Sequence, residues 1–180
     1  MKTYKILVIG SFSAGKTTFI RTLCEKYIDT DVELREPIGE KTKTTVALDF
    51  GVIELGEKRV RLYGAPGQKY FFFMWEVLSK GLDGYILLID GENPDALLEA
   101  EDVYRFFRTM LPKTPHIIAV NKFGHPRFSI DLRDVRVALS VPANVPIKLV
   151  DARNYDSALS IVKLIVELID HNRVRREEVR

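Results

Sequence analysis

One cysteine, Cys24, stands in a chain of 180 residues. No disulfide can close within the chain, so its stability rests on a packed core and a reducing compartment is the expected setting. Long apolar runs are missing as well. The longest, such as Ile6-Leu7-Val8-Ile9 and Tyr85-Ile86-Leu87-Leu88-Ile89, fall far short of the roughly 20 residues that cross a bilayer. Neither a secretory leader at Met1-Lys2-Thr3 nor a lipidation box at Glu178-Val179-Arg180 is present, so a cytoplasmic protein without a stable membrane anchor is expected. An excess of one charge is also lacking. The net charge of +2 is too small to argue for nucleic acid. His116, His125 and His171 have no metal-site spacing, and no repeat or low-complexity stretch stands out.

What is there suits one domain able to bury a core without staples. The boundaries expected are a nucleotide-binding domain over residues 1–170 and a basic tail over 171–180. The tail holds four arginines and two glutamates, which accounts for the whole net charge, and it reads as a frayed, solvated end. Along the domain, short β-branched runs alternate with amphipathic helical patterns. Ile6 to Ile9, Tyr85 to Ile89, His116 to Val120 and Pro146 to Val150 read as buried strands. Residues 28–43 read as a long polar loop. Thr45 to Leu55 and Lys58 to Tyr63 read as a hairpin turning at Gly56-Glu57. Helix starts are expected at Asn93-Pro94, Asp131 and Asp156. This alternation implies an α/β fold: a mostly parallel sheet with helices on both faces and an antiparallel edge from the hairpin. Ligands in such sheets bind at the carboxyl ends of the strands.

The strongest local signal is Gly10-Ser11-Phe12-Ser13-Ala14-Gly15-Lys16-Thr17, which matches G-x-x-x-x-G-K-[ST] between a buried strand and an amphipathic helix. The glycines let the backbone curl so that its N–H groups face phosphate oxygens, and the helix start adds its positive dipole end. Lys16 can neutralise β- and γ-phosphates, and the Thr17 hydroxyl can ligate Mg²⁺. Thr18 follows as the next helical residue at the nucleotide. Phe12, in the middle of the loop, either crowds the attacking water and slows hydrolysis or packs on a partner or a switch.

Thr44-Thr45-Val46-Ala47-Leu48-Asp49-Phe50-Gly51, Glu54-Leu55-Gly56-Glu57-Lys58 and Pro66-Gly67-Gln68 resemble the switch I, hairpin and switch II of Ras- and Rab-type GTPases. The Pro-Gly-Gln variant followed by aromatics, with Lys80-Gly81-Leu82-Asp83-Gly84 beyond it, is similar to the prokaryotic branch that includes gliding-motility polarity GTPases and conservon GTPases. The likeness covers roughly residues 4–170. It implies a P-loop, Ras-like domain of about six strands and five helices, working as a GTP/GDP switch with slow GTP hydrolysis. Switch I would span about 28–45 and switch II about 64–80.

The resemblance also implies roles. Thr45, with Thr44 as alternative, would reach Mg²⁺ and the γ-phosphate, and Gln68 would orient the attacking water. Gly67 would donate its N–H to the γ-phosphate. Asn121-Lys122 would begin the base-recognition motif, with Lys122 along the base. Asp151-Ala152-Arg153 would form the last base loop, the Ala152 N–H meeting the base carbonyl. A Roadblock-fold regulator or effector is implied at the switches. The aromatic run Tyr70-Phe71-Phe72-Phe73-Met74-Trp75 cannot bury all its side chains on one helix face; either it marks a partner surface, or two or three of them pack under the switch and the loop at 28–43 clamps the rest.

Two positions depart from the family pattern. Gly64 stands where an Asp usually holds a Mg²⁺-bound water; Asp49 either substitutes for it or faces solvent. Gly124 stands where the Asp of N-K-x-D takes two hydrogen bonds from guanine, and Asp151 is the neighbouring carboxylate. Two other readings therefore stay open: a pseudo-GTPase scaffold with little hydrolysis, and an ATP-specific switch. Arg35, Lys41 and Lys43 in the switch I segment read as solvated cations.

Overall fold

The computed structural model describes residues 1–25, 27–34, 44–66 and 72–178. The elements run β1 (Lys2–Gly10), α1 (Lys16–Leu23), β2 (Tyr27–Leu34), β3 (Thr44–Leu55), β4 (Lys58–Gly64), α2 (Phe72–Ser79), β5 (Gly84–Asp90), α3 (Ala96–Met110), β6 (His116–Asn121), α4 (Leu132–Ala138), β7 (Ile147–Leu149) and α5 (Tyr155–Glu178). They build one sheet in the order β2-β3-β4-β1-β5-β6-β7. β3 runs antiparallel to both its neighbours, and every other pairing is parallel. The α/β architecture read from the sequence is the one observed.

The central strands carry unbroken apolar runs through their middles because both faces are covered there. Successive side chains point to opposite faces. Ile6 and Val8 of β1, Ile86 and Leu88 of β5, and Ile117 and Ala119 of β6 join the core under α1 and α5. Leu7 and Ile9, Leu87 and Ile89, and Ile118 and Val120 join the core under α2, α3 and α4. Cys24 is buried beside Gly51, where a Cβ would fall 2.3 Å from its Sγ. Burial pushes the Cys24 thiol up to about 11, which leaves it a packing residue.

Several local readings need correction. The sheet has seven strands rather than six. The segment read as a loop over 28–43 opens with β2, whose register runs from Tyr27 opposite Gly51 to Leu34 opposite Thr44. β2 is the edge strand, so the reversed strand β3 lies one place inside the edge. Carboxylates at Asp29, Asp31 and Glu33 hid an alternation that runs through Ile28, Thr30, Val32 and Leu34. Such charges are usual on an exposed strand edge. Helix α3 begins at Ala96 after Asp95, because Asn93 spends its Oδ1 on the Asp95 N–H (2.9 Å) one turn early. Asn154 rather than Asp156 caps α5, accepting from the Ser157 N–H at 2.9 Å. Asp131 caps α4 as expected, accepting from the Arg133 N–H.

Residues 171–178 continue α5 instead of fraying. Asp170 receives Lys2 Nζ (2.5 Å) and Tyr4 Oη (2.8 Å) from β1 and Lys58 Nζ (2.9 Å) from β4. Partial burial alone would raise its pKa, but those three donors hold the carboxyl well below its usual range. One turn on, Arg173 donates to Asp83 at 2.5 Å and lies over the Tyr4 ring. The last helix is thus pinned to the starts of β1 and β4.

At the start of β6, His116 stacks on Tyr85 with ring centroids 4.6 Å apart. Its two nitrogens lie 3.0 Å from the Tyr104 hydroxyl and the Thr114 carbonyl. The neutral ring satisfies both, with Nδ1–H donating to Thr114 and Nε2 accepting from Tyr104. Burial lowers its pKa below the ordinary 6.5. The folded chain then binds fewer protons than the unfolded chain between that lowered value and 6.5, so stability falls as pH drops through this window. Urea midpoints measured between about pH 7 and pH 5 should fall more steeply for the wild type than for His116→Phe, which keeps the stacking. Equal slopes would show that His116 does not carry the effect.

Candidate functional site

The phosphate loop is a tight crossing between β1 and α1. Gly10 has φ 150°, Ser13 φ 67° and Gly15 φ 97°. Gly10 passes so near β5 that a Cβ there would fall 2.4 Å from the Leu88 carbonyl oxygen. Ala14 and Ser11 are buried, while Phe12 is 73% exposed. The exposed Phe12 ring is compatible with both readings, crowding of the attacking water or packing on a partner or switch. Lys16 Nζ folds back onto the Gly10 and Ser11 carbonyls (3.0 and 2.7 Å). Burial pushes the Lys16 ammonium down to about 8, against a smaller upward pull from Asp49.

Asn121, at the carboxyl end of β6, joins three separated motifs. Its Nδ2 donates to the Ala14 carbonyl of the phosphate loop, and its Oδ1 accepts the Ala152 N–H, both at 2.9 Å. Gly15 is required beneath it, because a Cβ there would fall 2.2 Å from Asn121 Nδ2. Ala152, expected to offer its N–H to a base carbonyl, gives it to Asn121 in this arrangement. Asp151 accepts the Arg153 N–H (3.0 Å) and pairs with its guanidinium (3.1 Å), which lowers the Asp151 pKa. That carboxylate is therefore committed within its own loop.

Lys122 adopts φ 67° and its Nζ lies 2.6 Å from Asp90 Oδ2 and 3.4 Å from Glu92 Oε2. Glu92 also faces Arg127 and His125. Asp90 also shapes the turn that ends β5, its Oδ1 accepting the Glu92 N–H at 3.0 Å. A carboxylate at the carboxyl end of a fully buried strand was the signal for it in the sequence. Gly124 sits at φ 86°, and nothing lies within 4 Å of a Cβ built on it.

At the other end of the loop, Thr17 Oγ1 donates to Asp49 Oδ2 at 2.5 Å. Asp49 of β3 pairs in register with Gly64 of β4. A Cβ on Gly64 would fall 2.8 Å from the Asp49 Cβ and 3.1 Å from its Oδ2. There is room for one carboxylate at this spot, and it comes from β3. A hydroxyl beside a carboxylate is a hard oxygen donor set of the kind Mg²⁺ takes. Among the described residues no cluster of three His, Cys, Asp or Glu side chains offers another metal site.

The structure therefore brings together the loop residues 10–18, Asn121, Lys122 and residues 151–153. Gly67 and Gln68 lie outside the described residues, as do Arg35, Lys41, Lys43, Tyr70 and Phe71. Of Thr44 and Thr45, and of Phe72 and Phe73, the backbone alone is described. Met74 and Trp75 are buried, with Trp75 donating to the Pro66 carbonyl, so part of the aromatic run serves the core. No helix among the described residues is long and apolar enough to cross a membrane.

A mostly parallel sheet with a phosphate-loop sequence after β1, and with Asn121-Lys122 and residues 151–153 gathered beside it, defines a Ras-like small GTPase-superfamily domain. Residues 24–139, well over half of the chain, match the model of a family described as a conserved hypothetical ATP binding protein, and the chain belongs to that family. An uncharacterised protein of Methanocaldococcus jannaschii is 32% identical over 66% of this chain and 69% of its own length. ADP-ribosylation factor-related protein 1 of Homo sapiens is 26% identical over 77% of this chain and 64% of its own length, so the chain spans under two thirds of that relative. The mutual gliding-motility protein MglA of Myxococcus xanthus is 25% identical over 90% of both chains.

Removing the Asn121 amide would leave the Ala14 carbonyl and the Ala152 N–H buried without partners. Each lost partner costs about 1–3 kcal/mol. Asn121→Ala should therefore lower stability by about 2 kcal/mol or more in urea unfolding without ligand, and an unchanged midpoint would remove Asn121 as the keystone of the site.

Proposed function

We propose that the chain is a nucleotide-dependent switch that binds GTP and GDP with Mg²⁺ and hydrolyses GTP slowly, on a domain spanning residues 1–170. The observation that carries this reading is the Asn121 bridge, which holds the phosphate loop and both base loops in one frame. In this reading the loop amides and Lys16 cradle the phosphates, and Lys122 lies along the base. Mg²⁺, held by Thr17 with Asp49 behind it and by Thr45, would neutralise phosphate charge. Gln68 orients water for in-line attack on the γ-phosphorus. The bond from that phosphorus to the bridging oxygen breaks, leaving GDP and inorganic phosphate. Thr45 and the Gly67 N–H contact the γ-phosphate and report its loss, and the change is read by a partner at the switches, a Roadblock-fold regulator or effector by the family likeness.

The second reading is adenine binding. Gly124 has no side chain to accept from the guanine edge, and Asp151 is already paired. A site built to bond a polar group discriminates strongly only when the bonding group is present. The description of the matching family as ATP binding agrees with this reading.

Calorimetric titration with GDP, a non-hydrolysable GTP analogue and the matching adenine pair, all with Mg²⁺, separates the readings. Tight guanine and weak adenine binding is the expected outcome. Equal or adenine-favoured binding establishes the second reading, and absence of binding to all four overturns both. Single-turnover hydrolysis then distinguishes a slow timer from a scaffold that scarcely turns over.

Asp49 should behave as the support of the metal. Asp49→Ala should weaken Mg²⁺-dependent nucleotide affinity by about 10-fold or more, as loss of a ligand-orienting partner commonly does. In excess chelator the variant and the wild type should bind alike. An identical Mg²⁺ dependence would assign Asp49 to structure alone.

A further inference from the structure

At the pole opposite the phosphate loop, a cleft of about 610 Å³ opens between the end of α3, the starts of β6 and β7, and the last turns of α5. Leu111, Val145 and Leu168 supply apolar surface to its lining, beside polar groups such as Thr114, Asn144 and Asn172. Four cations border it: Arg108 from α3, Lys113 from the following loop, and Arg175 and Arg176 from α5. Among the described residues no carboxylate lines it.

The positive charge is left uncompensated by the fold. Arg108 donates to the Ser140 carbonyl (2.9 Å) and Arg176 to the Lys113 carbonyl (3.0 Å). Those acceptors are neutral, so each arginine is positioned without losing its charge. Among the described residues no carboxylate pairs with any of the four, whereas Arg173, on the same helix, is paired with Asp83. Pro112, Pro115, Pro142 and Pro146 form the walls. Proline has no N–H to offer an anion and fixes its own backbone, so recognition here falls to side-chain cations on a stiff, preformed frame.

We infer that this cleft docks an acidic, amphipathic segment of a partner protein, with apolar anchors on Leu111, Val145 and Leu168 and carboxylates on the cationic rim. The shape decides against other anions. A flat bilayer surface cannot reach an apolar floor inside a concave cleft. A nucleic acid strand would want several exposed aromatic faces for its bases; of the two rings here, His116 is stacked on Tyr85 and bonded to Tyr104, which leaves His171 alone. The net charge of +2 also gives no broad field to hold a polyanion. The site is remote from the phosphate loop and stands independently of which nucleotide binds there.

The test is selection from a random peptide library displayed on phage against the full chain, followed by fluorescence titration of the enriched peptides. The comparison protein is the double variant Lys113→Glu/Arg175→Glu, whose altered side chains hold no internal bond. Enriched peptides should combine Asp or Glu with Leu, Ile or Phe. Their affinity should fall with rising salt and drop at least tenfold in the variant, while its melting temperature and nucleotide binding stay those of the wild type. Enriched peptides without acidic residues, or equal binding to the variant, would overturn the inference. So would binding of anionic phosphatidylglycerol vesicles or a single-stranded DNA oligonucleotide that the variant abolishes while no peptide is enriched. Self-association by light scattering that the variant abolishes would assign the cleft to a second copy of this chain instead.

Discussion

A single buried amide holds the candidate site in register. The side chain of Asn121 is only large enough to reach two backbone groups, and it reaches one on each side: Ala14 in the phosphate loop and Ala152 in the loop after β7. Both contacts are backbone-directed, so they fix where the chain runs whatever side chains surround them. Gly15 is glycine because any Cβ would displace that amide. Lys122 follows Asn121 in a left-handed conformation that turns its side chain toward Asp90 and Glu92. Loop shape, lysine placement and glycine choice all descend from one hydrogen-bonding side chain at a strand end.

The two family departures then have different physical standing. Gly64 is a relocation. The β3–β4 pairing sets Asp49 opposite it, at a separation that admits one carboxylate, and the acid stands on β3. The chemistry near Thr17 is kept while its sequence position is lost. At Gly124 nothing lies within 4 Å of a built Cβ, and Asp151 of the neighbouring loop is paired with Arg153. At one position a carboxylate stands across the sheet from the glycine; at the other the space beside the glycine is open.

Most of the fold was legible because both faces of the central strands are buried, which writes unbroken β-branched runs into the sequence. The phosphate loop was legible because its geometry demands glycines at fixed spacing. The legible part ended where charge masked pattern or where contacts join distant residues. β2 alternates properly, but its carboxylates made it read as loop. The Asp49–Thr17 contact and the Asp90–Lys122 pair each span 32 positions along the chain. Spacing within a motif cannot show such a meeting; only the register of the sheet can. The caps of α3 and α5 were placed wrongly for a smaller reason, since several Asn and Asp residues compete within one turn and local hydrogen bonding picks among them.

The clasp around Asp170 gathers Lys2, Tyr4 and Lys58 at one pole, and Arg173 ties Asp83 into the same region. β1 and β4, which start there, end at Gly10 and Gly64, the first of which opens the phosphate loop. Each of those strands is therefore anchored like a cantilever, clamped at the base and loaded at the tip. Any load arriving through the last helix meets the clamped ends of both strands.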